Sequence, residues 1–393
     1  MKFSISLLLA ATLAFPALAQ EEGPASAKGA AVDTTGKGYT AAYVLEPSTK
    51  RVLFSENADT PLPTASMAKM MTALIAMEEV REGRLKLDTP CLISARTSKM
   101  GGSQIYAKEG QQFPLQTLLA ALMVQSANDA AEAIAEKIAG SAENFAEIMN
   151  ARAKALGMTH TQFYDPHGLP NSQNPQMIDT ASAHDLAILG VEVMKWPLLR
   201  EFAKTPTMPF TNGTFTAGLT NPNHLINPGK RDYYPDATGI KTGYSGPAGY
   251  CVTASAKHGD MELICVVMGA RASSGPQSSF GIASRLMSQA FAQNIMKPVL
   301  QKGQVVGHAA VAEGTPNSVN AVAASEVKAL VRRGEEGGIK VGFVASPLTA
   351  PVRAGQQVGT VVVTQNGQQI SRVPAIAAAA VEKQSLWRKL WPF

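Results

Sequence analysis

Hydrophobic positions along the chain change their period several times, and each change marks an element. Residues 3–15 form a largely apolar stretch behind Met1-Lys2, and Pro16 ends it. Residues 20–36 carry no period and read as a linker. TAAYVLE and RVLF then flank the turn Pro47-Ser48-Thr49-Lys50, which predicts a hairpin over Tyr39–Phe54. From SMAKMMTALIAMEEVREG the period becomes helical and stops at Gly83. Further helices are predicted at about Leu115–Val124, Asn128–Ile138, Asn144–Leu156 and Thr180–Met194. After Asn221 the pattern turns to strands: GYCVTASAKHGDMELICVVMG reads as two, joined at Lys257-His258-Gly259-Asp260. A last amphipathic helix is expected at roughly Gly281–Asn294.

Hairpin, helices, strands and closing helix together make one mixed α/β domain, set at residues 37–296. Residues 297–374 are rich in Val, Ala and Gly, with short alternating runs such as GTVVVTQ and KVGFVAS. These predict a small all-β, sandwich-like domain. The remaining stretch, 375–393, ends in QSLWRKLWPF. Leu386, Trp387, Leu390 and Trp391 share one face of a helix, and Lys383, Arg388 and Lys389 border or oppose it. Such a helix suits a membrane surface.

Composition narrows the compartment and the partners. The start, Met1-Lys2 with an apolar core and Ala17-Leu18-Ala19, has the form of a secretory signal peptide over residues 1–19. The apolar run is too short to span a bilayer. The chain is therefore expected to be exported and to sit on the outer, periplasmic face of the inner membrane as a peripheral protein. A net charge of +5 among 35 basic and 30 acidic residues, with no Lys/Arg block, excludes a nucleic-acid stripe. Cys91, Cys251 and Cys265 are an odd set, expected as buried thiols, although Cys251 and Cys265 lie in neighbouring strands where they could pair. The six histidines have no zinc-like spacing, and no phosphate-binding glycine motif or G-x-S-x-G elbow occurs. No metal and no cofactor is predicted.

Three motifs carry the candidate chemistry. Ser66-Met67-Ala68-Lys69 opens the first long helix, and a spacing of three puts both side chains on one face. A desolvated Lys near other cations loses its proton near neutral pH and can take one from Ser66. Taken alone, the same four residues fit a capping serine beside a solvated lysine. Ser325-Glu326-Val327-Lys328 repeats the spacing and reads as accident. Ser126-Ala127-Asn128 falls between two helices, with Asn128-Asp129 placed to cap the second. Its pattern is weak, because Ser-x-Asn recurs at Ser55, Ser172 and Ser318. Lys241-Thr242-Gly243 is placed on an edge strand, where a cation, a hydroxyl and a residue without a side chain suit a carboxylate.

In this order the three motifs are the signature of β-lactamases and penicillin-binding proteins. With PTASMAKMMTALIAME, GGSQIYAKEGQQ, LMVQSANDAAEAIAE, DPHGL and GIKTGYSGPAGYCVTASA, the chain resembles the low-molecular-mass penicillin-binding proteins that act as serine-type D-Ala-D-Ala carboxypeptidases. That resemblance implies a transpeptidase-like domain, an antiparallel sheet with helices, followed by the β domain and an amphipathic anchor. It implies Ser66 as nucleophile and Lys69 as its base. Ser126 would relay a proton, and Asn128 would hold both the Lys and the substrate backbone. Lys241 would keep the pocket electropositive, Thr242 would bind the terminal carboxylate with Gly243 beside it in the substrate-binding strand, and the N–H groups of Ser66 and Tyr244 would form the oxyanion hole. Peptidoglycan pentapeptide would be the substrate and β-lactams covalent inhibitors. An arginine that some relatives use for the carboxylate is absent, leaving Arg231 or Arg271 as substitutes. A D,D-endopeptidase, a class A β-lactamase and a non-catalytic wall-binding protein are the other readings. The second lacks a Glu in residues 157–180, where the acids are Asp165 and Asp179.

Overall fold

The computed structural model describes residues 38–385, apart from 171–173, 175, 212–215 and 336. The expected signal peptide (1–19), the expected linker (20–36) and the tryptophan-bearing end of the chain lie outside these residues. A five-stranded antiparallel sheet organises the first domain, in the order Arg51–Glu56, Ala41–Glu46, Met261–Ala270, Gly249–His258, Ala237–Ser245. The Met261–Ala270 strand is buried along nearly its whole length, which is why its sequence is apolar almost without interruption. The helices Ala183–Met194 and Ser279–Gln293 both pack on this strand. Ser182 and Ser278 cap them, their hydroxyls accepting from the N–H of Asp185 and Gly281.

The helix Lys69–Arg81 runs through the helical layer and is buried from Lys69 to Met77 without a polar face. Such all-round burial is expected of a helix enclosed by others. The π-helical turn Ala121–Gln125 and the helices Asn128–Ala139, Ala142–Ala155 and Ala183–Met194 pack around it. The expected helix over Thr180–Met194 begins later, because Thr180–Ala181 pairs as a short strand with Leu62–Pro63. All three cysteines are buried free thiols. Strand register puts Cys265 opposite Ala254 and Cys251 opposite Gly243, so the two thiols do not face each other.

The second domain begins at the strand Asn294–Leu300, paired with Val327–Arg332. Its main sheet orders Val305–Ala310, Ser318–Ala323, Gln368–Ala377, Gln357–Gln365 and Ile339–Ala345 around a core of Val and Ala. This β structure continues past residue 374. Ala375 and Ala377 are buried opposite Ala323 and Ala321, and Glu382–Lys383 pairs with Gly314–Thr315. The range 375–393 therefore does not begin as a helix: the Ala-rich run fills a strand whose small side chains fit the core. Among the described residues no helix is long and apolar enough to cross a membrane, and no group of side chains is arranged to hold a metal.

Candidate active site

Ser66 stands in the short 3-10 turn Ala65–Ala68 that leads into the Lys69–Arg81 helix. Thr64 anchors the entry, its N–H donating to Asp179 O at 2.9 Å. Neither part of the capping-serine reading holds: Thr64 occupies the cap position, and Lys69 has no exposed surface. Lys69 Nζ lies 2.9 Å from Ser66 Oγ and donates to His167 O at 2.7 Å. Burial pushes the ammonium down to about 7, against the opposing pull of Asp165, Asp179 and Asp129. An unprotonated amine beside a serine hydroxyl is the arrangement needed to activate that serine near neutral pH.

His167 was not singled out from the sequence. Its carbonyl reaches Lys69 because the loop before it is tied. The Asp165 carboxylate accepts from the N–H groups of His167 at 2.8 Å and Gly168 at 2.6 Å. Thr72 Oγ1 donates to Pro166 O at 2.7 Å. Gly168 has a φ of +77°, and a Cβ there would fall 1.9 Å from Ala65 O, so the loop presses on the backbone that carries Ser66. Behind it, the fully buried Glu132 pairs with Arg96 Nε at 2.7 Å and lies 3.6 Å from His167 Nε2. The one usable signal in the sequence was Asp165 two residues before His167, the spacing at which an Asp side chain closes a turn.

Ser126 takes a left-handed conformation, φ 62° and ψ 32°, between the π-helical turn Ala121–Gln125 and the helix Asn128–Ala139. Lys241 Nζ donates to its hydroxyl at 2.7 Å. Lys241 is almost fully buried, and burial with the nearby Lys69 holds its ammonium well below the ordinary value. Asn128 differs from expectation in two ways. Ala127 is the capping residue and Asn128 already lies within the helix. The Asn128 side chain also does not hold Lys69: Nδ2 donates to Gly101 O at 2.6 Å, and Oδ1 is buried with no partner. An orphaned buried acceptor facing the site is costly unless a ligand's N–H meets it.

Lys241, Thr242 and Gly243 lie on the edge strand Ala237–Ser245, as expected. Gly243 is needed for close approach, since a Cβ would sit 2.8 Å from Thr64 O. Ser66, Ser126, Asn128, Thr242, Gly243 and Tyr244 line one cavity of about 590 Å³, with both lysines buried behind its wall. Pro222 and His224 of the NPNHLI segment also line it. Neither Arg231 nor Arg271 does. The Arg231 guanidinium packs near Gly275, next to the Ser273 and Ser274 wall, whereas Arg271 belongs to a different cavity.

A half-buried serine beside a buried lysine, with a second serine bonded to a second buried lysine in the same cavity wall, has the make-up of a serine acyl-transfer site. The comparisons with known proteins agree with that class. Residues 31–272 match the D-alanyl-D-alanine carboxypeptidase family, and residues 296–383 match the penicillin-binding protein 5 C-terminal domain. The D-alanyl-D-alanine carboxypeptidase DacF of Bacillus subtilis is 33% identical over 345 residues, covering 87% of this chain and 85% of that protein. A D-alanyl-D-alanine endopeptidase of Escherichia coli is 31% identical over 295 residues, covering 72% and 87%. A crystal structure of a peptidoglycan synthesis regulatory factor, PBP3, from Streptococcus pneumoniae aligns with a TM-score of 0.77 at 25% identity, covering 88% and 99%. The chain belongs to the D-alanyl-D-alanine carboxypeptidase family.

Proposed function

We propose that this protein is a serine D-Ala-D-Ala carboxypeptidase of cell-wall peptidoglycan, working through an acyl-enzyme on Ser66. The observation that carries the reading is the contact of Lys69 Nζ with Ser66 Oγ at 2.9 Å by an amine whose pKa burial has lowered to about 7. Lys69 takes the Ser66 proton as Oγ attacks the penultimate D-alanine carbonyl. The carbonyl oxygen becomes an oxyanion facing the N–H groups of Ser66 and Tyr244. Ser126, bonded to Lys241, passes a proton to the departing D-alanine nitrogen, and water then hydrolyses the ester. Thr242 and the Lys241 charge receive the terminal carboxylate, and Asn128 Oδ1 accepts from the substrate backbone N–H, which supplies its missing partner. A β-lactam presents a similar carboxylate and carbonyl and is expected to be trapped on Ser66.

The test combines intact mass with product release. The protein with penicillin should gain one covalent adduct, Ser66→Ala should gain none, and a pentapeptide ending in D-Ala-D-Ala should yield free D-alanine. An adduct on Ser66→Ala would remove the nucleophile assignment, and an adduct without D-alanine release would remove the carboxypeptidase one. The β-lactamase reading is disfavoured by Asp179, whose carboxylate accepts the Tyr164 N–H at 2.6 Å and is buried away from the cavity wall.

We also infer export through residues 1–19 and attachment to the membrane surface through the face made by Leu386, Trp387, Leu390 and Trp391. Removing residues 386–393 leaves the paired strand Glu382–Lys383 intact. The truncated protein should move from the membrane pellet to the soluble fraction, and persistence in the pellet would reject the anchor.

A further inference from the structure

Beyond Tyr244 the catalytic cavity adjoins a second one of about 380 Å³, whose walls include Thr40, Leu62, Pro63, Gly246, Pro247 and Arg271. The two share Tyr244 and Tyr250, whose rings stack with centroids 4.4 Å apart and an interplanar angle of 28°. Tyr244 is 61% exposed, an unusual exposure for a ring that only fills space. Arg271 is exposed, and no acidic side chain pairs with it among the described residues. The mechanism above uses none of Leu62, Pro63, Pro247 or Arg271.

The direction of the strand decides what reaches this cavity. With the terminal carboxylate at Thr242 and the scissile carbonyl at the Tyr244 N–H, the substrate runs antiparallel to Ala237–Ser245. Its upstream residues must therefore pass Tyr244 toward Gly246. An extended chain advances about 3.3 Å per residue, so the part opposite Gly246 is two or three residues upstream of the scissile bond. Strand addition to an edge supplies main-chain bonds, and flanking pockets supply selectivity.

We propose that this second cavity is the subsite for the upstream segment of the stem peptide, with Arg271 pairing a free carboxylate carried there and the Tyr244–Tyr250 stack separating it from the catalytic cavity. The inference rests on the carboxypeptidase reading for the direction of the substrate. It makes Arg271 a selectivity residue for anionic donors, separate from recognition of the terminal D-alanine carboxylate.

Two pentapeptides distinguish these roles: one with a free carboxylate on the residue three upstream of the scissile bond, the other with that carboxylate amidated. Arg271→Gln should lower kcat/KM on the free acid by about two- to fivefold, the range of an exposed ion pair, through KM and not kcat. It should leave the amidated peptide and penicillin acylation unchanged, and Arg271→Lys should recover part of the loss. Equal losses on both peptides, or none on the free acid, would overturn the subsite. Binding of the two peptides to Ser66→Ala, with and without Arg271→Gln, gives the same comparison without turnover. If the wild-type protein releases no D-alanine from either peptide, the functional reading fails, and this binding contrast still decides the role of Arg271.

Discussion

The chain contains the Ser-x-x-Lys spacing at Ser66–Lys69 and again at Ser325–Lys328, and folding gives the two quartets opposite chemistry. Lys69 is enclosed, bonded to a serine and a carbonyl, and its ammonium is pushed down to about 7 by burial. Lys328 sits at the start of a strand, with Asp260 at 3.3 Å and Glu326 at 3.6 Å, and the hydrogen bond to Asp260 pushes its pKa up. One lysine has lost its water without gaining a carboxylate partner in contact; the other kept its water and gained two. Spacing of three residues supplies only adjacency. Desolvation by the surrounding fold turns that adjacency into a base.

The most direct way to break the contrast is to remove each lysine in turn. Lys69→Met should slow penicillin acylation by about 10²- to 10⁴-fold, the usual contribution of a positioned base. Lys328→Met should leave the rate unchanged and barely move the melting temperature, as loss of a surface pair does. Stopped-flow acylation and thermal melts on both variants would check this. Comparable rates for Lys69→Met and the wild-type protein would mean that Ser66 is activated by another group.

The enclosure itself can be loosened next. Gly168→Ala places a methyl against Ala65 O, and at φ +77° the new side chain is also strained. The backbone on which Ser66 stands must then shift. Expected are a stability loss of about 1–3 kcal/mol and acylation slowed up to about 10²-fold, as when a reacting atom moves by an ångström. Gly334→Ala, with a similar φ but open space around the new carbon, is the control and should cost stability without touching acylation. If both variants acylate at the wild-type rate, the loop does not hold Ser66 in place.

What the sequence made legible follows the same division. The hairpin, the helix behind Ser66 and the edge position of Lys241 were readable because their cues are local: period, turn residues and a glycine that permits close approach. The burial of Lys69 was not, since its walls come from residues such as His167, 98 positions away. The bond from Lys241 to Ser126 spans 115 positions, and no spacing rule encodes it. The alanines of residues 375–377 misled in the other direction: helix propensity is a weak prior, and pairing with Ala321 and Ala323 outweighed it.

A finer test leaves the packing nearly unchanged and alters only charge. Burial alone would push the Asp165 carboxyl up, but its bond and attraction to His167 and the two backbone N–H groups outweigh that and hold it below its ordinary value. It is therefore ionised at neutral pH, and its negative charge raises the Lys69 pKa. Asp165→Asn removes that charge while keeping an oxygen for the N–H groups of His167 and Gly168. Lys69 should then titrate lower than about 7, so more free amine exists at pH 6 and the acid limb of the acylation profile moves to lower pH, by up to about one unit. Asp260→Asn, which neutralises a partner of Lys328, should leave the limb where it is. A shift to higher pH in Asp165→Asn would mean that the limb reports a group other than Lys69.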